Sequence, residues 1–464
     1  MNRIFSLLAL TTLLFTSCTK KEHSDAPNGK EVPQSEQETP KENTSEESVK
    51  PFFADHLAGK TGLFQEGKKL SIAEIPNAQQ EIWKAWKEAN EKFSEQKLGA
   101  LNPLNSRTSS KWNIPENLEK NAVMPYYYGY KGSKPQEGYP LFLYLHGSSD
   151  KHQEWAAGIA LGEAFNDAPS AYFIPQIPNT GALYRWWQKG KQFAWEKMLR
   201  LAFLSGEIDA NRVYFFGISE GGYGSQRLAS FYADYLAGVG PMAGGEPLIN
   251  APVENCRNIA FSLRTGEQDY MFHRDLLTRY TQEAFEKHQQ ADPEGFVHHI
   301  ELIPRMGHDI NYFPTTPWLK QYKRNPHPKK VVWEDFPMDG IYRKGFYNMV
   351  VQERTSDRTR YTMEITDNTI NVQVDEVSYT GVEKSPRWNF FTKYEKTHVP
   401  ASKGKFTLYL NAQLVDLGKE ITVIVNGKQV FKGIAQPDTK HLINSCSIFF
   451  DPERLFPSAV EIAF

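Results

Sequence analysis

Residues 212–235 read RVYFFGISEGGYGSQRLASFYADY. The apolar run of residues 213–216 stops at Gly217-Ile218-Ser219-Glu220-Gly221-Gly222 and gives way to small and helix-forming residues. A Gly-x-Ser-x-Gly sequence at a strand-to-helix turn makes an elbow so tight that larger side chains beside the serine would collide with the strand or the helix. Such an elbow lifts the Ser219 Oγ out at the end of the sheet. It also aims the Glu220 backbone N–H, at the start of the new helix, at the place where an oxyanion forms. The chemistry this permits is nucleophilic attack on a carbonyl.

A serine hydroxyl needs a base, and the base needs an orienting acid. His308 stands in IPRMGHD, just past the last apolar run, and Asp269 ends FSLRTGEQD. The same loop also offers Glu267 and Asp275. Asp275 falls inside the helical pattern RDLLTRYTQEAF, and Asp309 adjoins His308 too closely to reach Nδ1 of the preceding ring. A further run, LYLHGSSD, ends in His146-Gly147, after which Ser148 can give a second oxyanion-binding N–H. Trp186 and Trp187 line an acyl- or sugar-binding cleft or else pack in a core. The Glu220 side chain touches substrate, or else is solvated or salt-bridged. His298 and His299 are adjacent in a strand and face opposite ways, and neither His-Glu-x-x-His nor Cys-x-x-Cys occurs, so no metal is expected. GVGPMAGG has the wrong spacing for a dinucleotide loop, and Pro241 intrudes; no cofactor is expected.

These residues need elements to hold them. Between about residues 126 and 309, the runs YPLFLYLHG, AYFIPQIP, RVYFFGIS, LAGVGPMAGG, IAFSLRTGEQD and VHHIELIPRMGHD alternate with helical stretches. Apolar strands alternating with helices predict a mostly parallel sheet covered on both faces, with functional residues at the strands' carboxyl ends. Before it, NAQQEIWKAWKEANEKF puts Ile82, Trp86 and Ala89 on one helical face, with Trp83 and Phe93 near it. Beyond about residue 330 the period changes to two. RYTMEITDNTINVQVDEV alternates about Asp367-Asn368, and TVIVNGKQVFKG is a hairpin about Asn426-Gly427. KFTLYLNAQLV, SCSIFF and AVEIAF read as further strands, so a separate all-β, sandwich-like unit is expected, joined through KRNPHPKK.

Residues 126–318 resemble the serine-esterase branch of the α/β-hydrolases that includes feruloyl and acetylxylan esterases, polyhydroxybutyrate depolymerases and peptidase-like relatives of prolyl oligopeptidase. The resemblance rests on LHG, WW before the helix leading to the elbow, GISEGGYG, TGEQD and GHD. It implies an α/β-hydrolase fold, with Ser219 as nucleophile, Asp269 as acid and His308 as base. Gly266-Glu267-Gln268-Asp269 keeps the spacing that these families give the acid, and His146 takes the role of orienting the oxyanion turn. The β-rich residues lie outside the minimal fold.

The chain has 464 residues, too many for one ordinary core. The expected division is a signal peptide at 1–18, a disordered tether at 19–50, a helical lead-in at 51–110, a catalytic domain at 111–328 and a β-rich domain at 329–464. A formal net charge of −2 leaves no basic surplus for nucleic acid. With three cysteines this is no disulfide framework, and Cys256 and Cys446 are expected as free, partly buried thiols rather than a bridge. Arg3, the apolar IFSLLALTTLLF and FTSC form a targeting segment. FTSC resembles the lipobox of bacterial lipoproteins, with Phe15 where leucine is usual, which implies a lipid on Cys18 and an exported, membrane-anchored protein. The polar residues after it cannot bury enough surface to order themselves. The expected substrate is a polysaccharide-linked or related natural ester; a serine peptidase and a non-catalytic binding lipoprotein are the alternatives.

Overall fold

A computed structural model describes residues 46–60, 62–179 and 184–464. Cys18, the apolar run before it and residues 19–45 of the expected tether lie outside the described residues. The first described helix, α1 (Glu46–Leu57), begins inside that tether. Val49 and Phe53 are buried against Trp86 of α2 (Ile75–Lys92), so the end of the expected tether is packed in a core despite the polar composition around it. Ile82, Trp86 and Ala89 of α2 are buried, as their spacing predicts.

The sheet beneath the site is built in chain order from β1 (Asn102–Pro103), β2 (Ser109–Asn113), β3 (Val123–Lys131), β4 (Tyr139–Leu145), β5 (Ser170–Pro175), β6 (Ile208–Ile218), β7 (Gly238–Met242), β8 (Ala260–Gly266) and β9 (His298–Ile303). Its order is β1-β3-β5-β4-β6-β7-β8-β9, with β2 beside β3. From β5 to β9 every pairing is parallel, while β3 runs antiparallel to β2 and to β5. The helices between them are α3 (Lys151–Ala164), α4 (Lys189–Ser205), α5 (Glu220–Tyr232) and α6 (Arg274–Ala291), and α7 (Thr315–Leu319) follows β9.

Alternation along the central strands divides the apolar side chains between two clusters. Leu141, Leu143, Val213 and Phe215 join Trp195 and Met198 of α4 and Leu228 of α5. Phe142, Tyr144, Tyr214 and Phe216 join Ile159 of α3 and Leu319 of α7. Burial on both faces explains why these strands read as unbroken apolar runs. Each large side chain so buried contributes roughly 1.5–3 kcal/mol.

The later residues form β10 (Lys330–Asp335), β11 (Met349–Glu353), β12 (Thr359–Thr366), β13 (Thr369–Lys384), β14 (Phe391–Pro400), β15 (Lys405–Leu410), β16 (Ile421–Val425), β17 (Lys428–Gly433), α8 (Thr439–Phe449) and β18 (Ser458–Ala463). They make a six-stranded sheet and a three-stranded one, which meet through rings such as Tyr361 and Phe406, 5.8 Å apart. The turn between β16 and β17 has φ of 49° at Asn426 and 78° at Gly427, the positive pair a type I′ turn requires.

Two sequence expectations change here. SCSIFF is the end of α8, not a strand. Asp438 caps this helix by accepting from Lys440 N, and Leu442, Ile443 and Cys446 are buried with Ile82 and Trp86 of α2. The boundary near residue 328 also divides no core, because one hydrophobic cluster runs from Trp112 through Phe231 to Ile462. The KRNPHPKK join is itself partly interior: Arg324 is buried, donating to Asp451 Oδ2 at 2.7 Å and to the Asp234 carbonyl at 3.0 Å. Cys256 and Cys446 are buried and free. Among the described residues no helix is long and apolar enough to cross a membrane, and no group of three His, Cys, Asp or Glu is placed to hold a metal ion.

Candidate active site

Ser219 stands between β6 and α5 with φ 57° and ψ −114°, a conformation that costs a non-glycine residue about 1–3 kcal/mol. The surrounding backbone enforces it. Ser219 N donates to Met242 O of β7 at 2.9 Å, and Tyr223 N returns to Ser219 O at 3.1 Å. A Cβ on Gly217 would lie 2.5 Å from Gly221 O, and one on Gly221 would fall on the Leu145 carbonyl. Both glycines are therefore required by the crossing of β4, β6 and the first turn of α5.

His308 follows β9 and Asp269 follows β8, and backbone bonds zip the two loops together. Glu267 N donates to Ile303 O at 3.0 Å, and Gln268 N to Met306 O at 2.8 Å. The result is a continuous chain of side chains. His308 Nε2 lies 3.0 Å from Ser219 Oγ, and His308 Nδ1 lies 2.6 Å from Asp269 Oδ2. The imidazole is 40% exposed, whereas the Asp269 side chain is only 3% exposed. Burial pushes the Asp269 carboxyl up, but the His308 bond and the Arg274 guanidinium outweigh it and hold the group below the usual carboxylate range. An ionised Asp269 keeps the proton on Nδ1, leaving Nε2 to accept from the serine. Glu267 points elsewhere, its Oε2 accepting from Arg305 N at 3.2 Å. Asp275 enters α6 in its first turn and has no bond to His308.

At the end of β4, Gly147 N and Ser149 N both donate to the Glu154 carboxylate, at 3.1 and 3.2 Å. Ser148 N, between them, has no acceptor among the described residues, and Glu220 N lies in the unpaired first turn of α5. His146 is fully buried beneath this turn. Its Nε2 accepts from Ile177 N at 3.0 Å, Nδ1 faces Gly147 O at 2.7 Å, and burial holds its pKa down at about 4. It thus shapes the turn in neutral form.

The other sequence candidates divide. Trp186 is a core residue: it is completely buried, donates its indole N–H to His146 O at 2.9 Å and packs on Trp195. Trp187 is half-buried under the Arg227 guanidinium, 3.9 Å from its ring centre. The Glu220 carboxylate is buried and accepts from Arg185 N at 3.1 Å; burial pushes its pKa up. It supports the neighbouring segment through the backbone and forms no salt bridge among the described residues.

Two residues of the site, Arg274 and Glu154, escape sequence reasoning. Arg274 gives Nη1 to Asp269 Oδ1 at 2.9 Å and Nε to Tyr223 Oη at 2.7 Å, linking the acid to the helix that carries Ser219. Glu154, seven residues beyond Gly147, fixes the turn around Ser148. An arginine five residues after a candidate acid, at the head of a helix, and a glutamate one turn into the helix after LHG were the available signals.

No family model and no curated protein matches this chain. Solved structures similar to part of it include a thermostable esterase at 19% identity and TM-score 0.32, covering 47% of this chain and 63% of that one. Another is a ferulic acid esterase from the anaerobic fungus Anaeromyces mucronatus, at 15% identity and TM-score 0.35, covering 50% and 93%. A third is a putative dipeptidyl aminopeptidase IV from Bacteroides ovatus, at 10% identity and TM-score 0.34, covering 46% and 34%.

Proposed function

We propose that this chain is an α/β-hydrolase-type serine esterase that cleaves carboxylic esters in two acyl-transfer steps. The observation that carries the reading is the unbroken series Ser219 Oγ–His308–Asp269, at 3.0 and 2.6 Å, beginning at a strained serine on a helix N-terminus. His308 Nε2 takes the hydroxyl proton as Oγ attacks the ester carbonyl. The N–H groups of Glu220 and Ser148 receive the oxyanion, and the positive end of α5 favours the charge forming there. His308 then protonates the leaving alcohol, and water releases the acyl group by the same route in reverse order. Asp269 keeps the imidazole in the tautomer both steps need.

The substrate class we favour is an ester on a polysaccharide or a related natural polymer, met outside the cell. An enzyme tethered through a lipidated Cys18 at a bacterial membrane suits such a role, and the FTSC segment motivates this part of the proposal. Cys18→Ser should move the protein from the membrane to the soluble fraction of an expressing bacterium; equal membrane association of both forms rejects the anchor.

The chemistry is tested by assaying the full chain and Ser219→Ala on p-nitrophenyl acetate, methyl ferulate and a chromogenic peptide. Ester turnover that Ser219→Ala reduces by about 10⁵-fold or more, in a folded variant, is the expected result. Faster cleavage of the peptide would make the chain a peptidase with the same triad. Turnover retained by Ser219→Ala removes the nucleophile assignment.

A further inference from the structure

The hairpin of β13 and β14 outgrows its sheet. Pairing with β12 ends at Glu376 and pairing with β16 at Val372, whereas β13 and β14 stay paired to Lys384 and Phe391. The outer part is thus a two-stranded arm, a structure with little stability of its own in water. It is held instead by the segment that follows Asp269. Ser385 Oγ lies 2.8 Å from His273 Nε2, and the rings of Trp388 and Phe272 are 4.3 Å apart. Further along, Tyr280 Oη donates to Glu383 Oε2 at 2.6 Å, and Lys393 Nζ sits 4.9 Å over the Tyr280 ring.

The residues so gripped are unusual. Phe272 and His273 are consecutive non-glycine residues in the left-handed region, with φ of 54° and 58°. Such a pair persists only where its surroundings over-determine it. It sits three and four residues after Asp269 and immediately before Arg274, whose guanidinium joins Asp269 Oδ1 to Tyr223 Oη. Relaxation of either residue to a right-handed conformation would swing the start of α6 and carry Arg274 off the acid.

We propose that the arm tip, residues 385–390, is a positioning element of the Ser219 site: by holding Phe272 and His273 left-handed, it sets Arg274 between Asp269 and Tyr223. Arg274 is likewise a positioning residue, acting through Asp269. The inference rests on the serine-esterase reading and adds that the α/β residues alone do not complete the site.

The test uses the full chain with Ser385→Ala and Trp388→Ala combined, beside Trp388→Phe, Ser219→Ala and wild type. Three quantities are measured: kcat and KM for p-nitrophenyl acetate, the rate of labelling by a fluorophosphonate, and the thermal transition. Misplacing a reacting group by a fraction of an ångström to an ångström costs up to about 10²-fold, so the double variant should lose about tenfold or more in kcat. KM should stay within about twofold, labelling should slow in parallel, and Trp388→Phe should retain most of the rate by keeping a ring against Phe272. A folded double variant with kcat and labelling within about twofold of wild type overturns the proposal, given the scale of that effect. A raised KM at unchanged kcat also overturns it, because the tip would then touch substrate instead. Turnover or labelling that survives Ser219→Ala rejects the underlying reading, a different outcome from loss of the arm effect alone.

Discussion

Asp269 and Asp451 are both almost inaccessible carboxylates, and each meets an arginine, at 2.9 and 2.7 Å. Their surroundings differ in one respect. The second oxygen of Asp269 faces His308, whose ring reaches solvent, while the charged partners of Asp451 are buried arginines: Arg324 and, at 2.8 Å, Arg454. Arg454 also reaches Asp234 at 2.6 Å, and Arg343 reaches it at 3.1 Å. In both places burial pushes the carboxyl up, and the neighbouring cations outweigh it and hold it down. A carboxylate whose partner can exchange a proton with a substrate serves chemistry. One enclosed by arginines, which stay charged at any relevant pH, can only hold residues 234, 324, 343, 451 and 454 together.

The comparison can be broken at either end. Asp269→Asn should lower kcat by about 10⁴, by analogy with the acid of other serine hydrolases, and should cost less in urea unfolding than Asp451→Asn, because one buried arginine rather than two loses its counter-charge. Asp451→Asn should do the reverse. It leaves Arg324 and Arg454 short of a counter-charge in the interior, so unfolding free energy should fall by about 3–5 kcal/mol, with kcat within about twofold in the variant that remains folded. Activity loss from Asp451→Asn at unchanged stability would mean the two clusters do not have separate duties.

A third ionic cluster sharpens the point through pH. Lys396 Nζ meets Glu254 at 2.6 Å and Glu334 at 2.7 Å, joining β14 to the segment before β8. Burial pushes Glu254 up, but Lys396 outweighs it and lowers the pKa to about 2. A carboxyl depressed on folding stabilises the protein above its unfolded pKa of about 4.3, and that contribution disappears as the pH falls towards about 2. Its full size is about 3 kcal/mol. In Lys396→Met, stability measured by denaturant at pH 6 should be lower, and its decline between about pH 4.3 and 2 should be shallower than in wild type. The smallest effect belongs to Glu267→Gln. Among the described residues its carboxylate bonds only Arg305 N, so kcat should change by less than about threefold, the scale of one hydrogen bond weakened near the surface.

The elbow was legible because its glycines answer to collisions within ten residues of sequence plus one neighbouring strand. The strands β4 to β9 were legible because burial on both faces writes itself as an unbroken apolar run. Arg274 was not, since nothing local distinguishes an arginine that binds an acid from one that heads a solvated helix; its role depends on where Tyr223 and the β arm arrive. The α8 error came from reading SCSIFF in a six-residue window, where Ile448 and Phe449 suggest a strand. Over 442–449 the helical spacing of Leu442, Ile443, Cys446 and Phe449 is visible, and the partner that makes it count is α2, some 360 residues earlier. KRNPHPKK misled in the same way: proline and lysine describe a linker, but Arg324 belongs to an interior whose carboxylates lie far off in the chain.

Phe64 N donates to Asn444 Oδ1 at 2.7 Å, and Asn444 Nδ2 returns to Phe64 O at 3.0 Å, across 380 residues. A ribosome adds about 5–20 residues each second, so the segment around Phe64 and α2 is made on the order of 20–80 s before the helix that covers it. Throughout that interval α2 has only α1 beside Trp86, and the apolar surface it shares with Leu442, Ile443 and Cys446 of α8 is left uncovered. The growing chain must be kept from aggregating until α8 emerges, and a chain released early, short of residue 446, exposes the same surface at its other end. Quality control by chaperones or proteases then has a ready mark for incompleteness, displayed near the start of the protein and erased only by its close.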